Sequence, residues 1–292
     1  MPPSGYVITL AFAALGVAIA VVLQRRSPER MLASFSASAF FGLSMAVAFR
    51  LVTGRMPPAF WQTQSSSGEP WERVVVPLIG LTLAWPFLRH LAVATATVRL
   101  GLAMAVASLP LLLALPAGES YADVIPANAA WSVLALLAIG ANFLSGEQLD
   151  STGATQWSLW VFVAQLFTVA ALLMTCYGTL GEWSAMVALT LGMLAAGRMF
   201  VYEAAWSSLL ALAATSLSCI LLTHIRIYST QALPVWLAPF PMLSPVIVCA
   251  VDQSFGRYRT GWMRVMVAGV TAAIVAVGVI ATVLSIGESS NY

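Results

Sequence analysis

The spacing of its apolar runs constrains this chain more than any other feature. Ten stretches carry almost no charge: 5–23, 31–52, 74–90, 99–116, 127–145, 154–177, 183–198, 204–224, 233–251 and 264–286. A hydrocarbon layer of roughly 30 Å, crossed at about 1.5 Å per residue, needs about 20 residues, the length at which these runs recur. Polar or turn-forming segments separate them at 24–30, 54–73, 117–126, 146–153, 178–182, 226–231 and 252–263. Backbone groups in lipid must be satisfied within their own segment, which selects helices. A β-barrel needs alternating segments of about ten residues; these runs are nearly twice as long and do not alternate. The sequence therefore predicts an all-α, polytopic transmembrane bundle of about ten helices in a single domain, 1–292, whose longest extramembrane loop is 54–73. Nine is the alternative count. Run 74–90 holds Pro77 and Pro86 and meets 99–116 without a clean loop, and run 233–251 holds Pro234, Pro239, Pro241 and Pro245.

Composition narrows the function. Apolar residues make up 60% of the chain and charged residues 8%, against about 25% charged in a soluble domain. So few charges exclude a soluble globule and a disordered chain, and a net charge of +2 argues against nucleic acid as a partner. Cys176, Cys219 and Cys249 lie inside apolar runs with no CxxC, so they read as packing residues rather than a disulfide framework. His90 and His224 are the only histidines, near opposite faces in the expected topology. Neither HExxH nor a Cys/His cluster is present, so neither a metal nor a cofactor is expected.

All 13 basic residues are arginine, and their distribution sets an orientation. With the N terminus outside, Arg25, Arg26, Arg30, Arg89, Arg99, Arg198, Arg257, Arg259 and Arg264 fall inside, and Arg50, Arg55, Arg73 and Arg226 fall outside. A secretory signal would carry its positive charge before the apolar run. Here the charge follows, so the first run reads as a retained span in the cell (inner, cytoplasmic) membrane. Trp61, Trp71, Trp131, Trp157, Trp183, Trp206, Trp236 and Trp262 stand near expected span ends, as an interfacial aromatic belt requires. The Trp-Ser pairs at 131, 157 and 183 also admit a duplicated two-helix unit. Gly-Glu pairs at 68, 118, 146, 181 and 287 suit helix termination followed by an acid at the next helix start.

Rows of small residues four apart predict close helix contacts. They are Ser34, Ser38, Gly42 and Ala46; Ser207, Ala211, Thr215, Cys219 and Thr223; and Ala268, Ala272 and Ala276 beside Gly269 and Ala273.

Polar groups within the bilayer are functional candidates by default. Gln165, with Thr168 one turn on, and Asn142 are such groups; each reads either as a solute ligand or as one side of an interhelical hydrogen bond. The prolines of PVWLAPFPMLSP make a straight helix implausible. Either Pro239, Pro241 and Pro245 break a helix and expose ends able to hold a solute, or an external loop enters a short helix near Pro245. Arg198 and Glu203 flank a tight turn and suit an interfacial ion pair. Arg257, Arg259 and Arg264, mixed with Phe255, Tyr258 and Trp262, suit anionic lipid on the inner leaflet.

Catalytic motifs are missing: no GxGxxG, P-loop or GxSxG, and the close pair Glu147 and Asp150 falls in an expected loop. The expected function is a small-solute permease with its path near Gln165, Thr168, Asn142 and the proline-rich run. A non-catalytic subunit or scaffold is the alternative, with a homo-oligomer or membrane partner subunits. An intramembrane lipid-modifying enzyme is the weaker one.

Overall fold

The computed structural model describes residues 3–26, 30–58, 70–91, 95–114, 125–151, 159–200, 204–228, 236–256 and 261–289. Among them are ten α-helices: α1 (Pro3–Arg26), α2 (Arg30–Thr53), α3 (Val75–Leu91), α4 (Ala96–Ala114), α5 (Ile125–Ser151), α6 (Trp160–Cys176), α7 (Gly178–Gly197), α8 (Ala204–Tyr228), α9 (Pro239–Gly256) and α10 (Gly261–Ser289). A short 3-10 helix, Pro70–Val74, precedes α3. Each apolar run has its own helix. Six contain stretches long and apolar enough to cross a membrane: Gly5–Arg26, Leu32–Thr53, Trp71–Leu88, Ala129–Gln148, Gly178–Gly197 and Ser208–Ile227.

α8 is the axis of the bundle. Its residues 208–225 are all buried, and α3, α4, α5, α6 and α7 pack around it, with α9 touching one side. Sequence explains the choice. Ala211, Ala214, Thr215, Ser218 and Cys219 keep α8 thin enough for neighbours to approach closely. α1 and α10 form the rim. Val7, Ile8, Leu15 and Val22 of α1, and Val270, Ile274 and Val277 of α10, are exposed apolar side chains, the surface expected where a bundle meets lipid. The α2 row is a seam as expected: Ser34, Ser38 and Gly42 are buried, and a Cβ on Gly42 would stand 3.1 Å from Thr82 Oγ1 of α3.

Several boundaries differ from expectation. Glu147 and Asp150 belong to α5 rather than a loop. The extra turns are held by Arg99 of α4, whose Nη2 and Nε reach Glu147 Oε2 at 2.8 and 3.0 Å. Gly181 ends no helix. It lies in the first turn of α7, where a Cβ would stand 2.7 Å from the Met174 backbone nitrogen, so glycine permits the close α6–α7 turn. The aromatic belt also needs correction. Trp71, Trp131, Trp183 and Trp206 are buried in the core. Trp131 Nε1 donates to Thr223 Oγ1 at 2.9 Å, and Trp71 packs against both Phe49 and Trp183. A large apolar ring whose N–H finds an internal partner gains as much inside a bundle as at its rim. Trp236 is exposed.

Arg55 donates from Nη2 to both oxygens of Glu72, at 2.6 and 2.7 Å. Glu72 is buried, so this pair closes the end of the bundle where α2 meets the 3-10 helix.

Candidate functional site

The polar side chains singled out in the sequence meet around the start of α9. The turn at 236–238 leads into a helix whose first residue is Pro239. Proline suits that position because its missing N–H would have no helical acceptor, and its fixed φ matches the helix. Pro241 likewise lacks an N–H. The Phe240 and Met242 N–H groups donate to the carbonyls of Leu237 and Ala238, each at 3.2 Å. The first turn therefore offers no free donor to an anion. α9 begins at Pro239 and continues through Pro245, six residues before the loop-to-helix boundary that the second sequence reading placed at Pro245.

Pro245 creates a second kind of site. In an α-helix the N–H of residue 245 would bond the carbonyl of residue 241. Proline has none, so the Pro241 carbonyl is left without its helical donor. Gln165 of α6 supplies one: its Nε2 donates to the Pro241 carbonyl at 3.0 Å and to the Met242 carbonyl at 2.9 Å. Asn142 of α5 reaches the same Met242 carbonyl from Nδ2 at 2.6 Å. Ser244 Oγ adds a bond to the Pro241 carbonyl at 3.2 Å, and Thr215 Oγ1 of the axial helix points to Gln165 Oε1 at 3.5 Å. Four helices, α5, α6, α8 and α9, thus contribute to one polar cluster inside an otherwise apolar bundle. Asn142, Gln165 and Thr215 are at most 1% exposed.

One acceptor in the cluster is open. Asn142 Oδ1 is buried and has no hydrogen-bond partner among the described residues. A buried acceptor without a donor is costly, by about 1–3 kcal/mol, and is the place where a bound donor would be stabilised.

Thr168 separates from this group. It lines a cavity between α6 and α10, and its Oγ1 donates to the Ala164 carbonyl of its own helix at 2.8 Å. The cavity holds about 580 Å³ and is walled by Trp160, Val161, Ala164 and Phe167 on one side and by Gly269, Ala272, Ala273 and Ala276 on the other. The α10 row of small residues is thus a seam against α9 and α6 in part, and in part the wall of a cavity. Ala268 packs against Val161 of α6 and Val248 of α9, and Ala272 packs on that cluster.

Arg198 is buried at the end of α7, while its expected partner Glu203 lies outside the described residues. Arg257 and Arg259 also lie outside them, and Arg264 is in the first turn of α10. Among the described residues, no three side chains of His, Cys, Asp or Glu come together as metal ligands.

Comparison with protein families, with curated proteins and with solved structures returns no match.

Proposed function

We propose that the protein is a small-solute permease of the cell membrane, with its N terminus outside, and that the Gln165–Asn142 cluster holds the solute in transit. One observation supports this reading above others. Two carboxamides from different helices converge on adjacent backbone carbonyls in the first turn of α9, one of which, that of Pro241, Pro245 deprives of its helical donor. Carbonyls freed by an irregular membrane helix are natural ligands for a solute. A neutral solute rich in N–H or O–H donors can displace Gln165 from the Pro241 carbonyl and can donate to the open Asn142 Oδ1.

Proteoliposome swelling in isosmotic glycerol, urea or erythritol tests this. Wild-type vesicles swell faster than protein-free ones for at least one of these probes, and Gln165→Met changes that rate several-fold while leaving a cooperative unfolding transition. Swelling equal to that of protein-free vesicles for every probe defeats the reading.

A second reading rests on the same cluster. Gln165 and Asn142 already donate to the chain's own carbonyls, which suits a non-catalytic membrane subunit whose polar groups fix helix register. That reading expects partner chains to co-purify in mild detergent, with no swelling activity.

A further inference from the structure

The group that a solute would displace at the carboxamide cluster indicates which solutes fit there. Gln165 Nε2 is an NH2 nitrogen with two hydrogens. It bridges two successive carbonyls of α9, Pro241 at 3.0 Å and Met242 at 2.9 Å. A third acceptor stands beside them. Asn142 Nδ2 lies 2.6 Å from the Met242 carbonyl, and the nitrogen and oxygen of one carboxamide are about 2.2 Å apart. Asn142 Oδ1 is therefore within about 5 Å of the Met242 carbonyl. It is buried, with no donor among the described residues.

Exchange at this position leaves no carbonyl bare. Ser244 keeps its bond to the Pro241 carbonyl and Asn142 its bond to the Met242 carbonyl. Thr215 Oγ1 stands 3.5 Å from Gln165 Oε1, long for a hydrogen bond, so a Gln165 side chain pushed toward α8 gains there. Its released Nε2 then needs an acceptor. Charge is disfavoured by the same residues. Asn142, Gln165, Thr215 and Ser244 are all buried and uncharged, and a charged solute would give up its hydration without meeting an opposite charge among them.

We infer that the permease takes solutes with a terminal CO–NH2 group, ureas and primary carboxamides, in preference to polyols. This rests on the reading of the cluster as the solute site. The solute NH2 takes the place of Gln165 Nε2 across the two carbonyls, and the solute carbonyl accepts from the released Gln165 Nε2. The second NH2 of urea adds a bond to Asn142 Oδ1. A hydroxyl has one hydrogen and cannot bridge two acceptors as an NH2 does. A polyol needs two hydroxyls held in one geometry to do the same, at a cost in rotational freedom.

Proteoliposome swelling, with the protein-free rate subtracted, tests this on the full chain. Wild type passes urea at least ten-fold faster than glycerol. It also passes acetamide at least five-fold faster than N-methylformamide, an isomer of equal size whose nitrogen carries one hydrogen. Asn142→Leu removes the third acceptor and slows urea several-fold more than acetamide, which does not use it. If that variant fails to fold, the isomer pair on wild type decides. Swelling above the protein-free rate with glycerol matching urea, or with the two isomers equal, overturns the solute class and leaves the permease reading standing. Equal slowing of urea and acetamide by Asn142→Leu removes Asn142 from the site. No swelling with any of the four probes overturns the permease reading and the solute class with it.

Discussion

Removing the carboxamide of Gln165 tests the central claim about α9, that a side chain from α6 stands in for the N–H that Pro245 lacks. Gln165→Met is the suitable change, since it keeps an unbranched side chain of similar length. It deletes the donor to the Pro241 and Met242 carbonyls, at 3.0 and 2.9 Å, and the acceptor facing Thr215 at 3.5 Å. Interhelical hydrogen bonds in membrane bundles are worth about 0.6 kcal/mol on average and up to about 1.7. The Thr215 contact is too long to add much. Each carbonyl retains a second side-chain donor, Ser244 or Asn142, so neither is stranded, and the substitution is expected to destabilise by about 1–2 kcal/mol. Pro245→Ala sharpens the test. It restores an N–H to the Pro241 carbonyl and makes the Gln165 donor partly redundant, so the cost of Gln165→Met should fall by about 0.5–1 kcal/mol in that background. Reversible unfolding by SDS in mixed micelles, followed by tryptophan fluorescence, gives all four stabilities of the cycle. An equal cost for Gln165→Met with and without Pro245 would refute the reasoning.

Three further outcomes follow from the packing. Gly181→Ala places a Cβ 2.6–2.8 Å from Met174 atoms and should cost about 1–3 kcal/mol in the same titration; Gly278→Ala, with nothing within 4 Å, should be neutral or stabilising by up to about 1 kcal/mol. Arg99→Glu should lower the thermal midpoint by setting like charges together, and the swap Arg99→Glu with Glu147→Arg should recover most of the loss. Glu72→Gln should cost about 1 kcal/mol by weakening the two-pronged bond from Arg55; the half-exposed arginine can turn to water, so a loss above 3 kcal/mol would show that the pair is buried more deeply than its geometry implies.

Some of the architecture is legible residue by residue. Apolar runs interrupted by arginine and glycine locate the ten helices among the described residues, because the run length needed to cross a membrane is set by hydrocarbon thickness and not by tertiary contacts. Small residues four apart on α2 and α8 announce buried faces because close approach is geometrically open only there. The same signal on α10 is met in part: Ala268 and Ala272 pack on Val161 and Val248, while Gly269, Ala273 and Ala276 line a cavity, because how near a neighbour comes depends on where α6 and α9 stand. The tryptophans mislead for a related reason. A ring near a span end satisfies its N–H equally well in water or on Thr223, and sequence position does not distinguish the two. Gln165, Asn142 and the prolines were each visible as exceptions to an apolar background. Their meeting was not, because they lie on α5, α6 and α9, and no local rule relates those helices.

The sequence alone determined the secondary structure and a composition suited to crossing a membrane. Apolar runs of this length, in a chain with 8% charged residues, would in lipid satisfy their backbone polar groups only as helices. Tertiary structure decided which helix is central, which carbonyl receives Gln165, and where α10 leaves a cavity against α6. Those choices depend on side chains brought together from distant parts of the chain. In a bundle where apolar surface faces both lipid and protein, hydrophobic burial discriminates weakly between arrangements, and the few hydrogen bonds and close contacts between helices select one.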